Sequence, residues 1–236
     1  MFWTLFYIII VFFTIGAVAI FVLNRTSDAE QRRARWVKYI FYLLAVSLTV
    51  WCIQYGMMHY LAIGLLLIGT YEILTSWRSS NNGILFLGLS ILFYMAIAFG
   101  FYQFSSQVAL ERILYVYAIV FTFDGFAQII GQLFGRKKVL PRISPDKTIA
   151  GVIGGYVMGI ATGLFVMQWL NMSGYAIGFS PLLICTAAFV GDALASWYKR
   201  RCNLKDYSNL IPGHGGVLDR FDSFLFAGAV FWLIYL

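Results

Sequence analysis

Residues 175–236 read YAIGFSPLLICTAAFVGDALASWYKRRCNLKDYSNLIPGHGGVLDRFDSFLFAGAVFWLIYL. Two apolar runs, 175–198 and 222–236, enclose a polar connection that holds a histidine, three glycines and most of the segment's charge. A helix of about 20 apolar residues crosses the roughly 30 Å hydrocarbon core of a bilayer, so this pattern reads as span, polar loop, span. The rest of the chain agrees. Of 236 residues, 61% are hydrophobic and 11% charged, more apolar surface than one water-soluble core hides.

The fold class predicted is all-α, a polytopic integral membrane protein with about eight transmembrane helices. They fall near 1–24, 39–54, 57–74, 84–101, 107–123, 149–170, 175–198 and 222–236. The first stretch lacks a basic leader and a small-residue cleavage site, and reads as a retained helix. Residues 1–106 form N-terminal transmembrane helices and 107–236 a C-terminal catalytic region, within one integrated membrane domain. Cys52, Cys185 and Cys202 have no metal-ligand spacing and read as free thiols, the last in a polar loop.

Charge gives the orientation. Of 17 Lys and Arg residues, five lie between the first two spans, one between the third and fourth, five between the fifth and sixth, and five between the seventh and eighth. These connections share one side if the chain alternates, and the positive-inside rule makes that side cytoplasmic, with both termini outside. A net charge of +7 on that face suits anionic headgroups and polyphosphates. No nucleic-acid module accompanies the charge, which argues against nucleic acid as a partner.

Within 175–236, Asp192, Ser196 and Lys199 recur at i, i+4 and i+7 and share one helix face. Asp192 sits about 10 Å along the helix from Lys199 at roughly 1.5 Å per residue, inside the hydrocarbon edge, where an ionised carboxylate marks a functional position. Asp219 and Asp222 are three apart, on one side of a helical turn. Gly213, Gly215 and Gly216 allow close backbone approach to phosphate, and His214 among them is a donor. Upstream, DGFAQIIGQLFGRKKVLPRISPDKT (124–148) is the longest connection. Its Gly125 to Phe134 part is expected to be a short helix at the interface, followed by an extended return marked by Pro141 and Pro145. Asp124, Lys147, Asp192, Lys199, Asp219 and Asp222 then converge on the cytoplasmic ends of four spans.

These residues resemble the signature of the integral-membrane phosphatidate cytidylyltransferases, the CDP-diacylglycerol synthases. That pattern, S-x-x-K-R, four residues, K-D, then P-G-H-G-G-x-x-D-R-x-D, is met by Ser196, Lys199, Arg200, Lys205, Asp206, Pro212, Gly213, His214, Gly215, Gly216, Asp219, Arg220 and Asp222. The upstream stretch is similar to the same family through Asp124, Gly131, Phe134, Gly135, Lys138, Ser144, Pro145, Lys147, Thr148 and Gly151, and the seventh span through Gly191 and Asp192. Two positions depart: Ala150 and Ala195 stand where the family has glutamate.

The resemblance implies a bacterial inner-membrane enzyme that joins CTP to phosphatidate and releases pyrophosphate. It implies Mg²⁺, a second, monovalent cation such as K⁺, and a homodimer. Asp192, Asp219, Asp222 and Lys199 become the expected catalytic residues. Ser144, Lys147, Ser196, Arg200, Lys205, His214 and Arg220 become the substrate-binding residues, and Asp124, Asp192, Asp219 and Asp222 the metal ligands. The chemistry wants such a set: two anionic reactants must meet, carboxylate-held divalent metal aligns attacking and leaving oxygens, and Lys and Arg screen the remaining charge. A cytidylyltransferase for another lipid phosphate, a CTP-dependent lipid kinase and a membrane transporter stay open as alternatives.

Plainer readings apply elsewhere. Arg201 is a topogenic anchor, Asp206 is divided between site and ordinary loop acid, and Glu72 reads as a snorkelling or helix-pairing group. Gly151, Gly154, Gly155 and Gly159 suit close helix packing.

Overall fold

The computed structural model describes residues 24–26, 28–172, 175–211 and 215–235 and a few positions between 13 and 21, with the side chains of 34, 38, 175–178 and 235 excepted. Seven long helices follow in order: α1 (Ala29–Gln54), α2 (Met58–Arg78), α3 (Ile84–Gln107), α4 (Leu110–Phe134), α5 (Ile149–Trp169), α6 (Tyr175–Arg201) and α7 (Leu218–Tyr235). Two short antiparallel strands, β1 (Lys138–Leu140) and β2 (Ser144–Thr148), interrupt them between α4 and α5.

Local chemistry sets the ends. Asp28 caps α1, its carboxylate accepting from the Gln31 amide at 2.8 Å, and Thr148 caps α5 by accepting from the Gly151 amide at 3.1 Å; each satisfies an amide that lacks an intrahelical partner.

Among the described residues, α1 to α6 are long and apolar enough to cross a membrane, α6 from Phe179 onward. The eight expected spans are not all met. Helix α7 has 18 residues and places Asp219, Arg220 and Asp222 in its first two turns, and the expected first span falls largely outside the described residues. The connection from 124 to 134 is also corrected, because Asp124 to Phe134 continues α4 without a break. Its glycines explain this. A Cβ on Gly131 would lie 3.1 Å from Thr148 Oγ1 and 3.7 Å from Gly151 Cα, so α4 runs on against α5 with nothing to turn it away. The return through Pro141 and Pro145 is extended, as expected, and forms the hairpin.

The closest helix pair is α4 with α5, and the α5 glycines make it so. A Cβ on Gly151 would sit 2.4 Å from the Ala127 carbonyl oxygen, and one on Gly155 would sit 2.9 Å from that of Phe123. Shape-matched backbone contact is how apolar helices associate where lipid is as greasy as the side chains. The buried core is continuous across both halves of the chain, running from Met58 and Phe101 through Tyr115 and Ile119 to Ile184 and Leu225.

Three of the basic connections meet at one end of this bundle. Asn82 donates to the Arg201 carbonyl at 2.8 Å, Arg200 Nε to the Ile143 carbonyl at 3.1 Å, and the Ser208 hydroxyl to Glu72 at 2.6 Å. The ends of α4, α6 and α7 that carry the signature residues are thereby drawn together.

Candidate active site

A cavity of about 780 Å³ opens at that end. Its lining includes every candidate residue named from the sequence except His214: Asp124, Ser144, Lys147, Asp192, Ser196, Lys199, Arg200, Lys205, Asp219, Arg220 and Asp222. His214, with Pro212 and Gly213, lies outside the described residues. The same lining includes apolar and aromatic side chains, Phe41, Tyr42 and Val46 of α1 with Tyr117 and Phe121 of α4. Tyr42 stacks on Phe121 with ring centres 5.9 Å apart.

The face of α6 behaves as its spacing predicts. Ser196 Oγ donates to Asp192 Oδ1 at 3.2 Å, and the other Asp192 oxygen pairs with the Lys147 ammonium carried by β2. One turn further, buried Lys199 reaches Asp219 Oδ1 at 2.5 Å and lies over the Tyr207 ring. Lys147 likewise sits over the Phe189 ring. Each lysine is held between a carboxylate and an aromatic face, which fixes its ammonium without neutralising the site.

The two α7 carboxylates differ. Asp219 Oδ2 accepts from the backbone amides of Tyr207 at 2.9 Å and Gly216 at 2.8 Å, so both its oxygens are engaged in this structure. Among the described residues, Asp222 accepts only from the neighbouring Ser223 amide, at 2.7 Å. It lines the same cavity as Asp124 and Asp192, where a negative charge on any one of the three carboxylates disfavours charge on the others. Burial, reinforced by Asp222 and then Asp219, pushes the Tyr207 phenol well above its ordinary range, so it stays neutral and donates to the Ala195 carbonyl.

Among the described residues no three His, Cys, Asp or Glu side chains are gathered into a metal cage. The donor set still fits Mg²⁺, a hard cation that takes one or two carboxylates, waters and substrate phosphates in place of an all-protein cage. Asp124, Asp192, Asp219 and Asp222 all line the cavity, and Asp192 and Asp219 each already hold a lysine there.

Arg200 has a second task that the sequence did not suggest. Besides lining the cavity, it ties the hairpin to α6 by donating from Nε to the Ile143 carbonyl, and it donates from Nη1 to the Leu204 carbonyl at 2.9 Å. Of the two readings of Glu72, helix pairing is met, through the start of α7, and snorkelling is not. It is fully buried and accepts from Ser208, Val217 and Leu218. The available signal was a lone acid in an apolar helix. Cys202, expected in an accessible loop, is buried at the end of α6.

Comparison with known proteins identifies the family. A family model described as the cytidylyltransferase family matches residues 1–236. A Staphylococcus aureus (strain COL) protein named phosphatidate cytidylyltransferase is 35% identical over 159 residues, covering 66% of this chain and 61% of its own length. Proteins of the same name from Staphylococcus haemolyticus (strain JCSC1435) and Brucella abortus (strain 2308) are 31% and 33% identical. The first match covers 79% of this chain and 72% of the relative, the second 73% and 64%. The match thus spans less than two thirds of the length of the Staphylococcus aureus relative. Matched along its whole length, and carrying the signature acids and bases around one cavity, the chain belongs to the cytidylyltransferase family.

Proposed function

We propose that the protein is a CTP:phosphatidate cytidylyltransferase that forms CDP-diacylglycerol and pyrophosphate at the cytoplasmic face of a bacterial inner membrane, with both termini outside. The observation that carries this reading is the mixed lining of the cavity. Charged groups from α4, the hairpin, α6 and α7 line it together with apolar and aromatic side chains of α1 and α4, which suits one reactant that is a polyphosphate and another with a phosphate head on an apolar body. Family membership and the names of the relatives support the same reaction.

In that reaction an oxygen of the lipid phosphate attacks the α-phosphorus of CTP. A new P–O bond forms as the bond to the β-phosphate breaks, and pyrophosphate leaves with the electron pair. Lys147, Lys199, Lys205, Arg200 and Arg220 bind and screen the phosphate oxygens, while Ser144, Ser196 and His214 donate hydrogen bonds to them. Asp124, Asp192, Asp219 and Asp222 would hold Mg²⁺, which when bound would supply charge neutralisation at the reacting phosphates. Asp219 keeps Lys199 and the turn at Gly216 in place. Pre-placed cations of this kind favour the transition state because they need no reorganisation as charge shifts.

CTP labelled separately at the α- and γ-phosphates tests the reading. Label from the α position is expected in the lipid product and label from the γ position in pyrophosphate. Transfer of the γ label to lipid would replace the reading with a kinase reaction.

A further inference from the structure

Glu72 belongs to α2, in the half of the chain that carries none of the signature residues, and among the described residues it neither lines the cavity nor pairs with a cation. Its carboxylate is fully buried, an arrangement that is costly unless every oxygen finds donors. All the donors come from the signature connection. Ser208 Oγ and the Val217 amide reach Oε1 at 2.6 and 2.9 Å, and the Leu218 amide reaches Oε2 at 2.7 Å. Glu72 therefore caps the start of α7 from a different helix, filling amides that have no intrahelical partner.

Gly216 records how close this approach is. A Cβ there would lie 2.4 Å from Glu72 Oε1, and the Gly216 amide points the other way, into Asp219. Residues 216–218 are thus held on one side by Glu72 and on the other by Asp219. One turn later Asp222 faces the cavity.

We propose that Glu72 is a positioning residue for cytidylyl transfer: by fixing the first turn of α7 it sets the aim of Asp219 and Asp222 without touching nucleotide or lipid. The proposal rests on the reaction assigned above for its kinetic part alone. A helix-pairing acid would stabilise the bundle without selecting this turn. A positioning acid governs turnover through it.

The test uses the full chain in detergent or lipid and the Glu72→Gln variant, which keeps the shape but sets an amide NH₂ against backbone donors. Two quantities are read: hydrogen–deuterium exchange along the chain, and kcat and KM for CTP. Exchange is expected to quicken in 208–222 while α4 and α5 stay as protected as in the unaltered protein. Turnover is expected to fall about 10- to 100-fold, the usual loss when a residue supporting a site is removed, with KM for CTP little changed. Unaltered exchange in 208–222, or normal kcat in the folded variant, overturns the proposal.

If Glu72→Gln does not fold, Gly216→Ala decides, since the added methyl would lie 2.4 Å from the same carboxylate and forces it aside with Glu72 retained. Exchange in 208–222 should quicken and kcat should fall, with KM for CTP little changed. Unaltered exchange there, or normal kcat in the folded Gly216→Ala protein, overturns the proposal. Failure of the unaltered protein to make any CDP-lipid would strike the reaction and leave the exchange result to judge the anchoring by itself.

Discussion

The hairpin 138–148 and the connection 202–217 border the same cavity, yet they are held in different ways. The second is fastened from within the fold. Glu72 and Ser76 of α2 bind it at Ser208, Val217, Leu218 and the Tyr207 carbonyl, and Asp219 binds it at Tyr207 and Gly216. The first is attached mainly at its root, by the Thr148 cap and a bond from the Ile149 amide to Lys137, with Arg200 gripping its bend and Lys147 reaching Asp192. Pro145, Asp146 and Arg142 remain exposed. Buried carboxylates that accept backbone amides keep a connection rigid, because freeing those amides would leave them unpaired. On the proposed reaction, the contrast suits the 202–217 connection to orienting fixed acids and the hairpin to bringing cations to an incoming phosphate.

The contrast is broken most severely at Asp219. Asp219→Asn removes the charge that holds buried Lys199 and weakens the turn, so turnover should fall at least about 100-fold and the folded state should lose about 3 kcal/mol, the scale for breaking a buried pair. Activity assays and thermal unfolding in detergent measure both. Asp222→Asn should match the loss of turnover but leave unfolding near normal, since its carboxylate fastens no other element. Equal destabilisation by the two variants would erase the distinction drawn between them.

Arg200→Met sharpens the hairpin side. It removes the grip on Ile143 and a cation from the cavity, so KM for CTP should rise by more than unfolding stability falls, the latter by about 1 kcal/mol for a lost hydrogen bond. A variant with normal KM would leave the hairpin without a part in nucleotide capture. Thr148→Val removes only the α5 cap, and about 1 kcal/mol of stability should go with it. Chemical denaturation is the check, and no change would show the hairpin root to be held by β pairing instead.

The mildest expectation concerns Cys202. Because it is buried where the 202–217 connection begins, an impermeant maleimide should label it far more slowly in the folded protein than after denaturation, whichever face is exposed. Rapid labelling of the folded protein would mean that this connection opens.

Much of the architecture was legible because the bilayer imposes a length: apolar runs of about 20 residues between basic clusters leave few alternatives. The end of α4 was not. Its apolar run stops at Asp124, but the helix continues because Gly131 lies against Gly151, a pairing that hydropathy along one segment does not register. The candidate site was readable where spacing is short, as in Asp192, Ser196 and Lys199 on one face. It was unreadable where partners are remote. Glu72 lies 136 positions before Ser208 and 146 before Leu218, so its identity as an anchor rests on contacts that no local pattern encodes. Asp219 shows the same limit from the other direction. A motif brings an acid to the site, but only the backbone of Tyr207 and Gly216 reveals what its oxygens touch.

The central claim is that this cavity exchanges one phosphoanhydride for another between CTP and a lipid phosphate. The most direct measurement follows both products with purified protein, phosphatidate, CTP and Mg²⁺. The account predicts pyrophosphate and CDP-diacylglycerol in equal amounts, both abolished by chelating the metal and both reversed toward CTP when pyrophosphate is added. Release of CDP with a newly phosphorylated lipid, or undiminished turnover after complete metal removal, would contradict it.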